Sequence, residues 1–129
     1  MAAVILLDTH VLVWLYAGQL ARTPAPVQRR LNREQLALSP FVQAELEYLR
    51  EVGRVRRPAE VVTDELRARL ELVVADVPAA SVCTTALGMT WTRDPFDRPL
   101  AAHATVAGLP LVTRDPTLRR HPPLAWRAE

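Results

Sequence analysis

Apolar runs alternate along the chain with segments in which apolar residues recur at helical spacing. Four short runs have the continuity that is typical of strands buried on both faces. These predicted strands cover residues 3–7, 36–39, 71–75 and 109–113. The segments between them have Pro, Ser or Gly near their ends, as helices do. The predicted helices cover residues 9–18, 24–33, 40–52, 58–70, 78–89 and 98–107.

Strands that alternate with helices predict right-handed βαβ units and a parallel sheet with helices on both faces. The expected fold is a three-layer α/β/α sandwich with about four main strands, formed by a single domain over residues 1–129. After Asp115 the chain is expected to be irregular, with residues 124–126 as a candidate edge strand. In such folds, sites form beyond the carboxyl ends of the strands, which is where Asp8 and Asp115 fall.

Glu45 stands out in the predicted helix over residues 40–52. It lies on an apolar stripe that consists of Phe41, Glu45, Tyr48 and Val52. Glu47 and Glu51 fall on a different face of the same helix. A carboxylate on a core-facing side is costly to bury unless it is paired or binds a cation. The open alternatives for Glu45 are therefore an internal pair with an arginine and a place in a cation site.

Four aspartates have an ordinary structural alternative. Asp8 follows a strand and Asp115 precedes a proline, so each is also suited to cap a helix or turn. Asp94 and Asp97 both stand where a helix can open. Pro99 tolerates the first turn of a helix but would break an interior position, so Asp97 is expected to be the cap and to stand at the helix mouth.

Four carboxylates thus fall at strand ends, a helix mouth or an apolar face of one small sheet. They are Asp8, Glu45, Asp97 and Asp115. If they converge, their mutual repulsion calls for a cation. All-oxygen ligation, without a Cys pair or a His-Glu-x-x-His pattern, favours Mg²⁺ or Mn²⁺ over zinc. Such a site suits the hydrolysis of phosphodiester bonds.

Composition narrows the class of protein. No uninterrupted apolar run approaches the ~20 residues that span a bilayer. Residues 1–8 lack the basic start of a signal peptide. We therefore expect a cytoplasmic protein without a membrane segment. Cys83 is the only cysteine, which excludes an intramolecular disulfide, and it is expected to fill the core. All 16 basic side chains are arginines, whose guanidinium groups suit phosphate, but the net charge is only +2.

Four segments together resemble the PIN domain, and specifically the VapC-like toxins of bacterial toxin–antitoxin pairs. These segments cover residues 6–14, 39–54, 94–104 and 109–115, in the order and at the spacing of the family. The resemblance implies a Rossmann-like α/β/α sandwich and a divalent-metal-dependent endoribonuclease that acts on RNA. It also implies a homodimer that a cognate antitoxin neutralises.

The acidic motif of the family falls on the same four carboxylates. The resemblance implies that Asp8 and Asp97 are the primary metal ligands and that Glu45 is a ligand or the base that orients water. Asp115 is expected to contribute through a bound water or a second ion. Three further residues are expected to support these acids through hydrogen bonds or position, namely Thr9, Asp94 and Thr113.

Two other functions are compatible with parts of the sequence. Asp8-Thr9 after an apolar strand is similar to the start of phosphatases with an aspartyl nucleophile, but position 10 is histidine rather than a second aspartate and the chain has no lysine. The other alternative is a non-catalytic PIN-like module that binds RNA or a protein. Retention of all four acids argues against it, and metal-dependent cleavage would decide between the two.

Overall fold

Four parallel strands form the centre of the protein in a computed structural model that describes residues 3–121. The strands are β1 (Val4–Leu7), β2 (Gln35–Leu38), β3 (Val73–Val74) and β4 (Leu111–Val112). Their spatial order is β3-β2-β1-β4, and each neighbouring pair is parallel. The predicted parallel sheet is confirmed, although β3 and β4 are shorter than the apolar runs that contain them.

Helices occupy most of the chain between and after the strands. They are α1 (Thr9–Tyr16), α2 (Ala25–Arg33), α3 (Pro40–Glu51), α4 (Ala59–Leu70), α5 (Ala79–Leu87), α6 (Asp97–Ala107) and α7 (Pro116–Arg119). A 3₁₀ turn at Leu20–Arg22 precedes α2. No helix within residues 3–121 is long and apolar enough to cross a membrane.

Helix α7 corrects the expectation that the chain is irregular after Asp115. The Asp115 side chain accepts hydrogen bonds from the backbone N–H groups of Thr117 and Leu118, at 2.8 and 3.1 Å, and so caps this short helix. Leu118 is buried and anchors α7 to the core. The candidate edge strand at residues 124–126 lies outside the residues that the structure describes.

The central strand β1 is covered on both faces. Ile5, Leu6 and Leu7 are each 0% exposed, and consecutive side chains of a strand point to opposite faces. Helices α1, α3, α4 and α6 contribute buried leucines to the same core, namely Leu12, Leu46, Leu66 and Leu100. The three-layer α/β/α architecture is therefore confirmed.

Helix α5 lies largely at the surface. Val82 is its one buried side chain, whereas Leu87 is 75% exposed. The expectation that Cys83 fills the core is wrong, because Cys83 is exposed next to Val82. Only one face of α5 packs on α6, so the other small apolar residues of α5 are exposed to solvent.

The sheet order places the functional edge. Because β1 lies between β2 and β4, the residues that follow these three strands meet at one carboxyl edge. They are Asp8, Ser39 and Thr113. The backbone N–H of Asp8 donates to the carbonyl of Val112 at 2.9 Å, which joins the ends of β1 and β4 directly.

Candidate active site

Asp8 is a buried carboxylate at the end of β1, with 4% of its surface exposed. Its Oδ1 accepts a hydrogen bond from the backbone N–H of His10 at 3.0 Å and thereby caps α1. Its Oδ2 accepts a hydrogen bond from the hydroxyl of Thr113, the first residue after β4. Asp8 is thus a helix cap whose second oxygen is held at the sheet edge, and the expectation that Thr113 hydrogen-bonds a carboxylate is confirmed.

Glu45 projects from α3 towards the start of α1. The hydroxyl of Thr9 donates to Glu45 Oε1 at 2.5 Å, so the expected support of a carboxylate by Thr9 is also confirmed. Glu45 is half-buried, and none of the ion pairs within residues 3–121 includes it. In the part of the chain that the structure describes, the alternative of an internal arginine pair is therefore wrong.

The sequence led us to expect that the stripe containing Glu45 faces the core, but it does not. Tyr48 and Val52 on that stripe are 47% and 49% exposed, whereas the buried residues of α3 are Val42, Leu46 and Leu49. The stripe instead faces α6. The ring of Tyr48 packs 5.1 Å from that of Phe96, centroid to centroid, and Phe41 meets His103 edge-on. Glu45 accordingly lies at the boundary between the core and α6, where one side of its carboxylate is open.

Asp94 rather than Asp97 caps helix α6, which corrects the sequence prediction. Asp94 Oδ1 accepts hydrogen bonds from the backbone N–H groups of Phe96 and Asp97, at 2.8 and 2.9 Å. Asp97 is the first residue of the helix, and Pro99 is then the third, a first-turn position that proline tolerates. The Asp97 carboxylate still stands at the helix mouth, and among residues 3–121 no backbone N–H donates a hydrogen bond to it.

Asp115 is tied to the same edge through Thr113. Its backbone N–H donates to Thr113 Oγ1 at 3.0 Å, and the same hydroxyl donates to Asp8. The Asp115 carboxylate caps α7, so its structural alternative is correct as far as one oxygen is concerned. Thr113 therefore links two of the four acids.

Burial and mutual repulsion disfavour the charged forms of these acids. The pKa of Asp97 is raised to about 7, chiefly by burial and then by the negative charges of Asp94, Asp8, Asp115 and Glu45. Burial also raises the pKa of Asp8, although its hydrogen bonds from Thr113 and His10 oppose the change. The pKa of Glu45 is raised mainly by burial, against the hydrogen bond from Thr9. Asp8, Glu45 and Asp115 all contribute to the raised pKa of Asp97, so the four carboxylates interact electrostatically.

The donor set suits a hard divalent cation. All four side chains offer carboxylate oxygens, which Mg²⁺ and Mn²⁺ prefer, and none is in an ion pair within residues 3–121. No group of three or more His, Cys, Asp or Glu side chains in that range is arranged so that it could hold a metal ion. The four residues fit a divalent cation in the type and charge of their donor atoms, but within residues 3–121 their side chains do not form a metal-binding group.

A buried serine–histidine contact beside the acids has no counterpart in the sequence prediction. Ser39 caps α3 by accepting from the backbone N–H of Phe41 at 3.2 Å. A second hydrogen bond of 2.7 Å joins Ser39 Oγ to Nδ1 of His103 on α6. The two residues are 64 positions apart, so no local pattern could have revealed the contact. It fixes the helix of Glu45 against the helix of Asp97.

The fold and these acids define a known class, and the chain belongs to the PIN domain family, whose model matches residues 5–122. The resemblance inferred from the sequence is confirmed. The chain is 30% identical over 119 residues to Ribonuclease VapC22 of Mycobacterium tuberculosis, a match that covers 91% of each protein.

Two solved structures share the fold. The structure of VapBC2 from Rickettsia felis bound to a promoter DNA fragment matches with a TM-score of 0.65 at 19% identity, over 96% of this chain and 99% of that one. The structure of DNA-bound VapBC from Salmonella typhimurium matches with a TM-score of 0.63 at 23% identity, over 95% and 94% of the two chains. At these identities the matches show the common architecture.

Proposed function

We propose that this protein is a metal-dependent endoribonuclease and the toxin of a VapBC-type toxin–antitoxin pair. The observation that carries the proposal is that Asp8, Glu45 and Asp115 all raise the pKa of Asp97, while none of the four carboxylates is in an ion pair within residues 3–121. Similarity to a ribonuclease of the same family over 91% of the chain supports an RNA substrate.

In this proposal Asp8 and Asp97 hold a Mg²⁺ or Mn²⁺ ion, and Asp115 contributes through a water molecule or a second ion. A divalent cation supplies positive charge for the phosphate and makes water more acidic, which is the chemistry that phosphodiester hydrolysis needs. Because Asp97 has a pKa of about 7, it must release its proton before it can serve as a ligand.

The remaining residues orient the acids and handle the proton. Thr113 and Thr9 each donate to one acid, so the Asp8 and Glu45 carboxylates keep a fixed direction. Glu45 serves as a ligand or as the base that takes a proton from the attacking water, and its raised pKa suits the second role. Asp94 positions Asp97 by capping α6.

The partners belong to the same proposal. A nuclease that attacks the RNA of its own cell must be restrained, so we propose a VapB-like antitoxin and a cytoplasmic location, where the RNA substrate is. We also propose a homodimer. A homodimer is what the resemblance to the family implies.

The test is to sequence the RNA ends produced by brief expression of the wild-type chain, with Asp8→Asn as the control. We expect new ends at a limited set of positions with the wild type and none with Asp8→Asn, because that change removes a metal ligand and leaves the cap oxygen. Binding of RNA without any new ends would instead support the non-catalytic module that the sequence left as an alternative.

A further inference from the structure

Two arginines lie over one tryptophan next to the acidic cluster. We propose that Arg22, Trp14 and Arg114, here called the Trp14 cluster, form a subsite for an RNA phosphate that neighbours the bond to be cleaved. This inference rests on the proposed function, since it names how the same site holds its substrate.

The geometry of the cluster is that of paired cation–π contacts. The Cζ atoms of Arg114 and Arg22 lie 5.4 and 5.8 Å from the centroid of the Trp14 ring, within the ~6 Å over which such contacts are attractive. Trp14 is only 8% exposed and packs in the hydrophobic core. The ring is therefore a rigid platform that orients two otherwise flexible side chains.

Both guanidinium groups are available to a ligand. Arg22 and Arg114 are exposed, and neither makes an ion pair or hydrogen bond through its side chain to any other residue between positions 3 and 121. Other arginines are committed, for example Arg50 to Glu47. A guanidinium that rests on an aromatic face keeps its N–H edge for acceptors, and this planar fork matches the oxygens of a phosphate.

A cavity extends from the cluster to Asp115, one of the four acids. It has a volume of about 420 Å³ and is lined by His10, Trp14, Arg22, Arg114, Asp115 and Pro116. Asp115 belongs to both places, and Arg114 stands between Asp115 and Thr113, which holds Asp8. A strand whose scissile phosphate lies at the acids would therefore carry an adjacent phosphate into this cavity.

Charge favours RNA over an acidic peptide as the occupant. The acidic cluster repels a polyanion, so a cleavable strand needs cationic groups on its path immediately beside the acids. The Trp14 cluster supplies two fixed positive charges at that point. An acidic peptide bound in this cavity would be repelled by the neighbouring carboxylates if it extended towards them.

The first experiment compares Arg22→Gln and Arg114→Gln with Arg67→Gln, an exposed arginine of α4 outside the cavity. With a short single-stranded RNA that the wild type cleaves, each cluster variant should raise KM about tenfold with little change in kcat, as the loss of a charged hydrogen bond would. In an Asp8→Asn background, each should also lower the salt dependence of RNA binding by about 0.7 in log–log slope. Arg67→Gln should match the wild type in both measurements.

The second experiment locates the phosphate. Single methylphosphonates, which carry no charge, are placed in turn along the same RNA. Neutralising one phosphate next to the cleaved bond should raise the KM of the wild type and should abolish its difference from Arg114→Gln. At other positions the difference between the two proteins should persist.

Several results would overturn the subsite. One is that both cluster variants have the same KM as Arg67→Gln while the wild type cleaves RNA. That result would overturn the subsite but leave the proposed function intact. Another is that the cluster variants lose affinity for an acidic peptide but keep the wild-type affinity for RNA. Equal effects of methylphosphonates at every position would also contradict it. So would a raised KM that comes only from misfolding, if the KM of a cluster variant returned to the wild-type value once the fold of that variant was stabilised. Absence of any RNA cleavage by the wild type with Mg²⁺ or Mn²⁺ would instead remove the proposed function, and the subsite with it.

Discussion

At the scale of single residues, Glu45 and Glu47 lie two positions apart on α3 and have different partners. Glu45 accepts from Thr9 at the acidic cluster, whereas Glu47 accepts from Arg50 and from the backbone N–H of Ala59 at the start of α4. In the proposed mechanism, Glu45→Gln removes a charge that would bind metal or draw a proton from water. We expect RNA cleavage to fall by about 10²- to 10⁴-fold with the fold preserved.

Glu47→Gln and Glu51→Gln are the matched controls on the same helix. Both should stay within a few-fold of wild-type cleavage, because neither carboxylate faces the cluster. Glu47→Gln should lower the free energy of unfolding, since it weakens the ion pair with Arg50 within α3 and the hydrogen bond from Ala59 at the start of α4. Wild-type cleavage by Glu45→Gln together with inactive Glu47→Gln would show that the second acid is wrongly assigned.

Asp97 should make the stability of the metal-free protein depend on pH. Its pKa is about 7 in the folded state but about 4 in an unfolded chain, so between these values the folded protein binds the extra proton. The free energy of unfolding should therefore fall as the pH rises from about 4 to about 7 and level off above that. Because solvent screens a half-buried side chain, we expect a total change of about 1 to 2 kcal/mol.

The comparison for that measurement is Asp97→Asn in excess chelator. Asparagine carries no charge, so the variant should lose most of this pH dependence and should be as stable as the wild type, or more stable, at pH 7 and above. It should also be inactive. A fall of many degrees in its thermal unfolding would mean that Asp97 is chiefly structural.

At the scale of elements, the entry to α6 depends on Asp94. Asp94→Asn retains an acceptor for the N–H groups of Phe96 and Asp97, but Asp94→Ala does not and should cost about 1 kcal/mol of stability. Both changes remove a negative charge that raises the pKa of Asp97, so the pH at which activity rises should move down. Unfolding in urea and the pH profile of cleavage measure the two effects separately. Equal stability of Asp94→Asn and Asp94→Ala would contradict the capping role.

The sequence predicted the order and type of the main elements because each has a local cause. Uninterrupted apolar runs mark β1 and β2, and Pro40 after Ser39 marks the start of α3. The exposure of Cys83 could not be predicted from its apolar surroundings, because it depends on how α5 lies against α6. Helix α7 is a single turn that depends on its Asp115 cap, so it left no periodicity to detect.

The acids were easier to find than their surroundings. Asp8 and Asp115 were placed by strand ends and Glu45 by helical periodicity, and all are carboxylates of one electrostatic cluster in the structure. The correct cap of α6 and the Ser39–His103 contact depend on side-chain directions that sequence spacing does not fix. The stacking of Arg22 and Arg114 on Trp14 likewise joins residues that are 92 positions apart in the chain.

At the scale of the whole molecule, the proposed toxin should be harmful unless it is restrained. Expression of the wild-type chain alone, in a host that makes no antitoxin, should arrest growth, whereas Asp8→Asn expressed to the same level should not. We also expect a small gene immediately upstream whose product copurifies with this protein. Normal growth at high wild-type expression would count against the toxin, though not against the nuclease.

The most direct test of the metal-dependent site is cleavage of a defined RNA by the purified protein as Mg²⁺ or Mn²⁺ is titrated. We expect no cleavage in excess chelator, activity that returns when either ion is restored, and no activity from Asp8→Asn at any concentration of ion. Full cleavage in excess chelator, or cleavage by Asp8→Asn equal to that of the wild type, would contradict the assignment of these carboxylates as a metal-dependent nuclease site.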